Sequence, residues 1–303
     1  MSSEKAERHL LDIFSPAFYR SLQQLKIETR RTFLGSRQGA HLSHKKGHGL
    51  EFSGYRLYSP GDDFRHIDWR IYGRSDRLYV REFQEEQDLN VMFIIDCSHS
   101  MASPALSTPD KLHFAKQLAL ALGYAALSDG DTVSFMLLGS GTVHKFSGAR
   151  SLSQIARTLE NSGQSRQVDM KRDILLAASQ LKTPGKCFLL SDFLYDTADA
   201  TRAVNILNSR NFDVTLFQIL SPEDISLNGL PESSWISDSE SGEKMMFTCD
   251  ETTRRTYASL LSQHVKSLED YSARNGIRHV LVSTAEMVDE LVLSRLPELG
   301  LLS

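Results

Sequence analysis

The sequence has few cysteines and no long apolar run. Its 303 residues include only three cysteines, Cys97, Cys187 and Cys249, and no Cys-x-x-Cys pair. An odd number of widely spaced cysteines argues against a disulfide framework and is typical of a reducing compartment, so we expect a cytoplasmic protein. The longest apolar run, Leu118 to Leu127, is about half of the ~20 residues that a membrane-spanning helix needs. The charged start of the chain also lacks the apolar segment of a secretory signal.

Motifs of the common enzyme classes are missing as well. No G-x-x-x-x-G-K-[ST] loop occurs, which argues against ATP hydrolysis, and no G-x-S-x-G elbow occurs, which argues against an α/β-hydrolase. The 34 Lys and Arg residues against 38 Asp and Glu residues give a net charge of −4, which argues against a wholly basic nucleic-acid binder. We therefore expect a protein without catalytic activity.

The residue pattern changes character near residue 85. Residues 1–30 have helical periodicity, residues 31–48 form a basic, glycine-rich loop, and residues 50–88 favour short antiparallel strands. From residue 89, apolar strands alternate with amphipathic helices, which predicts an α/β fold with a mainly parallel sheet flanked by helices. The sequence thus predicts an N-terminal region over 1–85 and an α/β domain over 86–303, with a hairpin and long helix inserted at 235–275.

Two of the predicted strands end in an aspartate. Asp96 begins a D-x-S-x-S loop with Ser98 and Ser100, and Asp192 follows another buried strand. Ligands of such sheets bind beyond the carboxyl ends of the strands, and hard oxygen donors suit Mg²⁺ or Mn²⁺. The pattern indicates a metal site made by these four residues. The alternative is a loop whose side chains only cap the next helix.

Two motifs carry a resemblance to known families. The D-x-S-x-S-M loop is similar to the metal-ion-dependent adhesion site of von Willebrand factor A domains. The segments Gly47–Phe52 and Arg56–Trp69 resemble the bacterial proteins called domain of unknown function 58, over roughly residues 35–290. The resemblance implies a von Willebrand A-like fold. It also implies a MoxR-type AAA+ ATPase as partner, in chaperone-like maturation of a client protein. The adhesion site would bind an acidic side chain of the partner at an open coordination position of the metal.

One position departs from the adhesion-site pattern. The family draws a threonine from a second loop, and the matching stretch here is Gln167-Val168-Asp169-Met170. Val168 stands at the threonine position and offers no oxygen, so Asp169 or Ser165 is the remaining candidate there. The resemblance therefore carries over Asp96, Ser98, Ser100 and Asp192, but not the direct hydroxyl ligand of the second loop.

The absence of catalytic motifs and the family resemblance together predict a non-catalytic protein-interaction module. Two other functions remain as alternatives to it. One is a Mg²⁺-dependent phosphohydrolase with Asp96 as nucleophile, and the other is a nucleic-acid-binding accessory protein that uses the basic residues over 30–46. The loop histidines at 41, 44 and 48 are flanked by glycines, so we interpret them as solvated rather than as metal ligands. A further set of charged residues is interpreted as an ion-pair network that links the N-terminal strands to the sheet: Asp62, Asp63, Arg65, Asp68, Arg70 and Arg74.

Overall fold

The computed structural model describes residues 10–31, 50–85, 89–102, 109–161, 168–180, 183–195, 197–227, 233–237 and 244–303. Contacts divide the chain into a sheet unit, Met1–Phe33 with Leu89–Ser303, and a strand-pair unit, Leu34–Asp88. In this division the first helix belongs to the sheet unit, whereas the sequence-based domains grouped it with the short strands. The domain boundaries over 1–85 and 86–303 stay a prediction. Most of the basic loop, including its three histidines, lies outside the described residues.

The described elements follow the predicted alternation from residue 89 onward. The strands are β1 (Leu50–Leu57), β2 (Tyr79–Glu85), β3 (Asn90–Ile95), β4 (Thr132–Leu137), β5 (Val143–Ser147), β6 (Lys186–Ser191), β7 (Asp213–Leu220), β8 (Ser233–Ser237), β9 (Lys244–Thr248) and β10 (Arg278–Ser283). The helices are α1 (Pro16–Leu22), α2 (Trp69–Ser75), α3 (His99–Ala102), α4 (Lys111–Asp129), α5 (Leu152–Glu160), α6 (Met170–Gln180), α7 (Thr197–Ser209), α8 (Pro222–Ile225), α9 (Glu251–Arg274), α10 (Val288–Glu290) and α11 (Leu296–Glu298). A π-helical turn over Leu291–Arg295 joins the last two.

The central sheet has six strands in the order β10-β7-β6-β3-β4-β5. All neighbours are parallel except β5, which pairs antiparallel with β4. In β3, Val91, Phe93 and Ile95 lie in one apolar core, and Met92 and Ile94 lie in the other. Both faces are therefore covered, as the continuous apolar strands predict. The predicted α/β fold class is confirmed.

The N-terminal helix is shorter than predicted. Helix α1 ends at Leu22, and the following backbone pairs with the C-terminus of the chain. The amide of Lys26 donates to the carbonyl of Ser303 at 2.9 Å, and the amide of Ser303 donates back at 3.0 Å. Ile27 forms the bridge with Leu302. The helical prediction over 1–30 is thus wrong beyond Leu22, because these backbone groups bond to a distant segment instead of to their own helix.

The strand-pair unit contains a helix that the sequence pattern did not indicate. Strands β1 and β2 pair antiparallel as predicted. Between them, the Asp68 carboxylate caps α2 by accepting from the amides of Arg70 and Ile71. It also accepts from Arg81 Nε at 2.9 Å, while Arg56 bonds Asp62 at 2.6 Å. These two ion pairs stabilise the unit itself.

The predicted insertion is present. Strands β8 and β9 form an antiparallel hairpin, and α9 follows it over 24 residues with Asp250 as its N-cap. The tip of the hairpin lies outside the described residues. In the part of the chain that the structure describes, no helix combines the length and apolar character needed to span a membrane.

Candidate functional site

The sheet register brings the predicted site residues together. Ile95 of β3 pairs with Leu190 of β6, so Asp96 and Ser191 are the next residues at the carboxyl edge. Asp192 follows directly, where the chain leaves β6. Parallel neighbouring strands end at the same edge of a sheet, and this is why two aspartates 96 residues apart in sequence lie close to each other.

The D-x-S-x-S loop is tied to the sheet by hydrogen bonds. Asp96 Oδ1 accepts from the amide of Ser98 at 2.9 Å, and Asp96 Oδ2 accepts from the hydroxyl of Ser191 at 2.6 Å. The hydroxyl oxygens of Ser98 and Ser100 are 3.1 Å apart. Asp96 is buried, whereas Ser98 and Ser100 are partly exposed. The buried carboxylate therefore anchors the loop, and the side chain of Ser98 is also hydrogen-bonded to it.

The environment of Asp96 disfavours its charged form. Burial raises the pKa of this carboxyl, and the negative charge of Asp192 raises it further, against the hydrogen bonds from Ser191 and Ser98 that lower it. Ser191 was not among the residues predicted for the site. No sequence signal identifies it, because its place beside Asp96 follows from the register of β6 against β3.

Asp192 is paired with a buried lysine. The Nζ of Lys111 lies 2.8 Å from Asp192 Oδ2 and 2.9 Å from Asp224 Oδ2, and the lysine side chain is 6% exposed. Burial by itself lowers the pKa of Lys111, but the charges of Asp192 and Asp224 outweigh burial and raise it. Neither Lys111 nor Asp224 was predicted for the site. Lys111 is the first residue of α4, where the helix dipole disfavours a cation, but this position does not indicate which carboxylates it pairs with.

Among its described residues, the second loop offers only the exposed carboxylate of Asp169 as an oxygen donor. Val168 is half-buried and packs against the core on one face of the sheet. Asp169 is exposed, and its Oδ1 accepts from the amide of Arg172 at 3.0 Å, which makes it a cap of α6. Ser165 lies outside the described residues.

The donor set does not fit a divalent cation well. Asp96, Ser98 and Ser100 supply hard oxygens, but the distal carboxylate is paired with Lys111 and Val168 supplies none. Over the described ranges, no three His, Cys, Asp or Glu side chains group together as metal ligands. The predicted Mg²⁺ or Mn²⁺ site of Asp96, Ser98, Ser100 and Asp192 stays a prediction.

The inserted long helix holds the loops of this edge in place. On α9, the hydroxyl of Tyr257 donates to the carbonyl of Asp224 at 2.6 Å, and Nε2 of His264 bonds the carbonyl of Phe193 at the same distance. Phe193 has a left-handed backbone with φ of 53°. Non-glycine residues rarely adopt this conformation, so it requires support from the surrounding structure. The insertion thus fixes both the Asp192 loop and the turn that carries Asp224.

One family model matches more than half of the chain. The family model described as "Protein of unknown function DUF58" matches residues 54–267. An uncharacterized protein of Mycobacterium tuberculosis is 24% identical over 260 residues, which cover 84% of this chain and 80% of that protein. The crystal structure of the conserved hypothetical protein BatB from Bacteroides thetaiotaomicron is similar with a TM-score of 0.42 and 17% identity, over 70% of this chain and 98% of that one. The SpRpn10 VWA domain has a TM-score of 0.40 and 11% identity, over 68% of this chain and 94% of that one.

Proposed function

The chain belongs to the DUF58 family of proteins of unknown function, and from this premise we propose that it is a non-catalytic protein-interaction module. Its partner is a MoxR-type AAA+ ATPase, which it assists in the chaperone-like maturation of a client protein. The family resemblance supports this choice of partner. The contact surface is the carboxyl edge of the sheet, around the D-x-S-x-S loop, and the protein acts in the cytoplasm.

The observation that carries the proposal is a hydrogen-bonded polar loop at this edge. Ser98 and Ser100 are partly exposed and their hydroxyl oxygens lie 3.1 Å apart, while the buried Asp96 accepts from the Ser98 amide and the Ser191 hydroxyl. Side chains that hydrogen bonds already hold lose less conformational entropy when a partner binds. A hydrogen-bonded loop with partly exposed hydroxyls at this edge suits an interaction surface.

The same geometry argues against the phosphohydrolase alternative. A nucleophilic carboxylate must reach the substrate, but Asp96 is 1% exposed and each of its oxygens accepts a hydrogen bond. The nucleic-acid alternative depends on residues 30–46, of which only Arg30 and Arg31 are described. The guanidinium of Arg31 bonds the side chains of Asn208 and Asn211, so it has a structural role in the sheet unit.

Binding of the purified chain to the MoxR-type ATPase of the same bacterium tests the proposal. We expect the double variant Ser98→Ala/Ser100→Ala to weaken binding in calorimetry about tenfold, the effect of losing about 1.4 kcal/mol at an interface. Ser21→Ala is the matched control, since Ser21 is an exposed helix serine that bonds the backbone of its own helix.

Two results would contradict the proposal. Unchanged affinity in a folded double variant would place the interface elsewhere on the chain. Turnover of ATP or of phosphate esters by the chain alone, lost in Asp96→Asn, would make it an enzyme. EDTA separates two forms of the contact: a metal-dependent contact, with Mg²⁺ or Mn²⁺ at Asp96, Ser98, Ser100 and Asp192, would be abolished by EDTA, whereas a contact made by the hydroxyls alone would persist.

A further inference from the structure

A lysine side chain lies between two carboxylates at the carboxyl edge of the sheet. Lys111 is the first residue of α4, and its Nζ bonds Asp192 at 2.8 Å and Asp224 at 2.9 Å. The three groups come from three separate segments: the start of α4, the end of β6 and helix α8. The ammonium is thus the shared partner of two carboxylates that no local sequence pattern connects.

Both carboxylates are held in place independently of the lysine. Asp224 is fixed by a capping box, because its Oδ2 accepts from the amide of Ser221 while its own amide donates to the Ser221 hydroxyl. Asp192 Oδ1 accepts from the amide of Leu194, and the Asp192 carbonyl accepts from Gln218 Nε2. The carboxylate of Asp192 is fully buried and that of Asp224 is 23% exposed, so the pair favours a cation between them, since unpaired buried charges are costly.

We propose that the ammonium of Lys111 is the resident cation of this edge and takes the place of the divalent metal that the D-x-S-x-S loop leads one to expect. A tethered ammonium is always present at high local concentration, whereas Mg²⁺ must first lose part of its tightly held water. The lysine also uses an oxygen of Asp192, the predicted distal ligand of the metal. The folded edge is therefore complete without an added ion.

Titration with Mn²⁺ alone tests this inference without the partner protein. For the wild-type chain, we expect the electron paramagnetic resonance signal of free Mn²⁺ to stay undiminished up to the millimolar range of low-affinity sites. EDTA should leave the thermal midpoint unchanged. In Lys111→Met the two carboxylates lose their cation, so Mn²⁺ should bind and raise the midpoint by about 5 °C at saturating concentrations.

Lys116→Met is the matched control on the same helix. Lys116 is also largely buried, and its charge interacts with Cys97, Asp110 and Glu160. This variant should therefore gain no Mn²⁺ binding. Saturable Mn²⁺ binding by the wild type, or an equal gain in both variants, would overturn the inference.

A second variant covers the case in which Lys111→Met does not fold. Lys111→Met/Asp224→Asn removes one carboxylate together with the ammonium, so it lowers the charge left unpaired. We expect this double variant to fold without added metal. It should bind Mn²⁺, but more weakly than Lys111→Met that has been refolded in the presence of Mn²⁺. If Lys111→Met or the double variant folds but does not bind Mn²⁺, the role of Lys111 as a substitute for the metal is refuted. Because no arm includes the ATPase, these outcomes are independent of the proposed function.

Discussion

Replacing Asp96 by alanine should destabilise the protein more than its place at the end of a strand suggests. Asp96 is 1% exposed and accepts from the Ser191 hydroxyl and the Ser98 amide. The alanine variant removes both acceptors without supplying another group of similar shape. Ser191 is fully buried, so water does not readily replace the lost partner.

The structure allows the size of the effect to be worked out. An unpaired buried hydroxyl costs about 1–3 kcal/mol, and the loss of the bond to the partly exposed Ser98 loop costs about 1 kcal/mol more. Burial and Asp192 already disfavour the charge of Asp96, and removal of that charge offsets part of the loss. We expect Asp96→Ala to lower the free energy of unfolding by about 2–3 kcal/mol.

Asp96→Asn is the control for this prediction. The amide keeps the shape of the side chain and an acceptor oxygen for the Ser98 amide, its NH2 can donate to the hydroxyl oxygen of Ser191 in place of the bond that the carboxylate accepts, and the repulsion with Asp192 is removed. Its free energy of unfolding should therefore stay within about 1 kcal/mol of the wild type. Urea unfolding followed by far-ultraviolet circular dichroism measures all three proteins. An alanine variant as stable as the wild type, or an asparagine variant as unstable as alanine, would refute the reasoning.

Two further predictions concern backbone packing and thiol chemistry. Gly185→Ala should prevent folding or lower the thermal midpoint strongly, because a Cβ at this position would lie 2.0 Å from the carbonyl oxygen of Asn90. Gly73→Ala is the control and should fold normally, because a Cβ at Gly73 on α2 would meet no other atom within 4 Å. Burial raises the pKa of the Cys97 and Cys187 thiols to about 12. Ellman's reagent should therefore modify neither thiol in the native protein at about pH 8–9, the range that brackets the ordinary thiol pKa. Rapid reaction of either thiol before urea is added would contradict their burial.

The sequence by itself determined the sheet and the position of the candidate site. Apolar runs such as those over 91–95 and 187–190 indicate buried parallel strands, because both faces of such strands are covered. Since parallel strands end at one edge, the aspartates that follow these runs were expected at the same edge; the strand order, in which β3 and β6 are neighbours, brought them close together. The periodicity of apolar residues and the shared direction of parallel strands were enough to predict the sheet and the edge that carries the aspartates. The structure confirms the fold class.

Other features were decided only by the tertiary structure. Lys111 is 81 positions away from Asp192, and Ser191 is 95 away from Asp96, so neither contact appears in any local pattern. The hydrophobic period fixes which face of an element is buried, but not which side chain of a distant helix reaches a strand end. The N-terminal helix ends early for the same reason, as its following backbone pairs with the C-terminus. Long-range hydrogen bonds and ion pairs depend on how complete elements pack, and that packing placed the ammonium of Lys111 against Asp192, which the sequence predicted as a metal ligand.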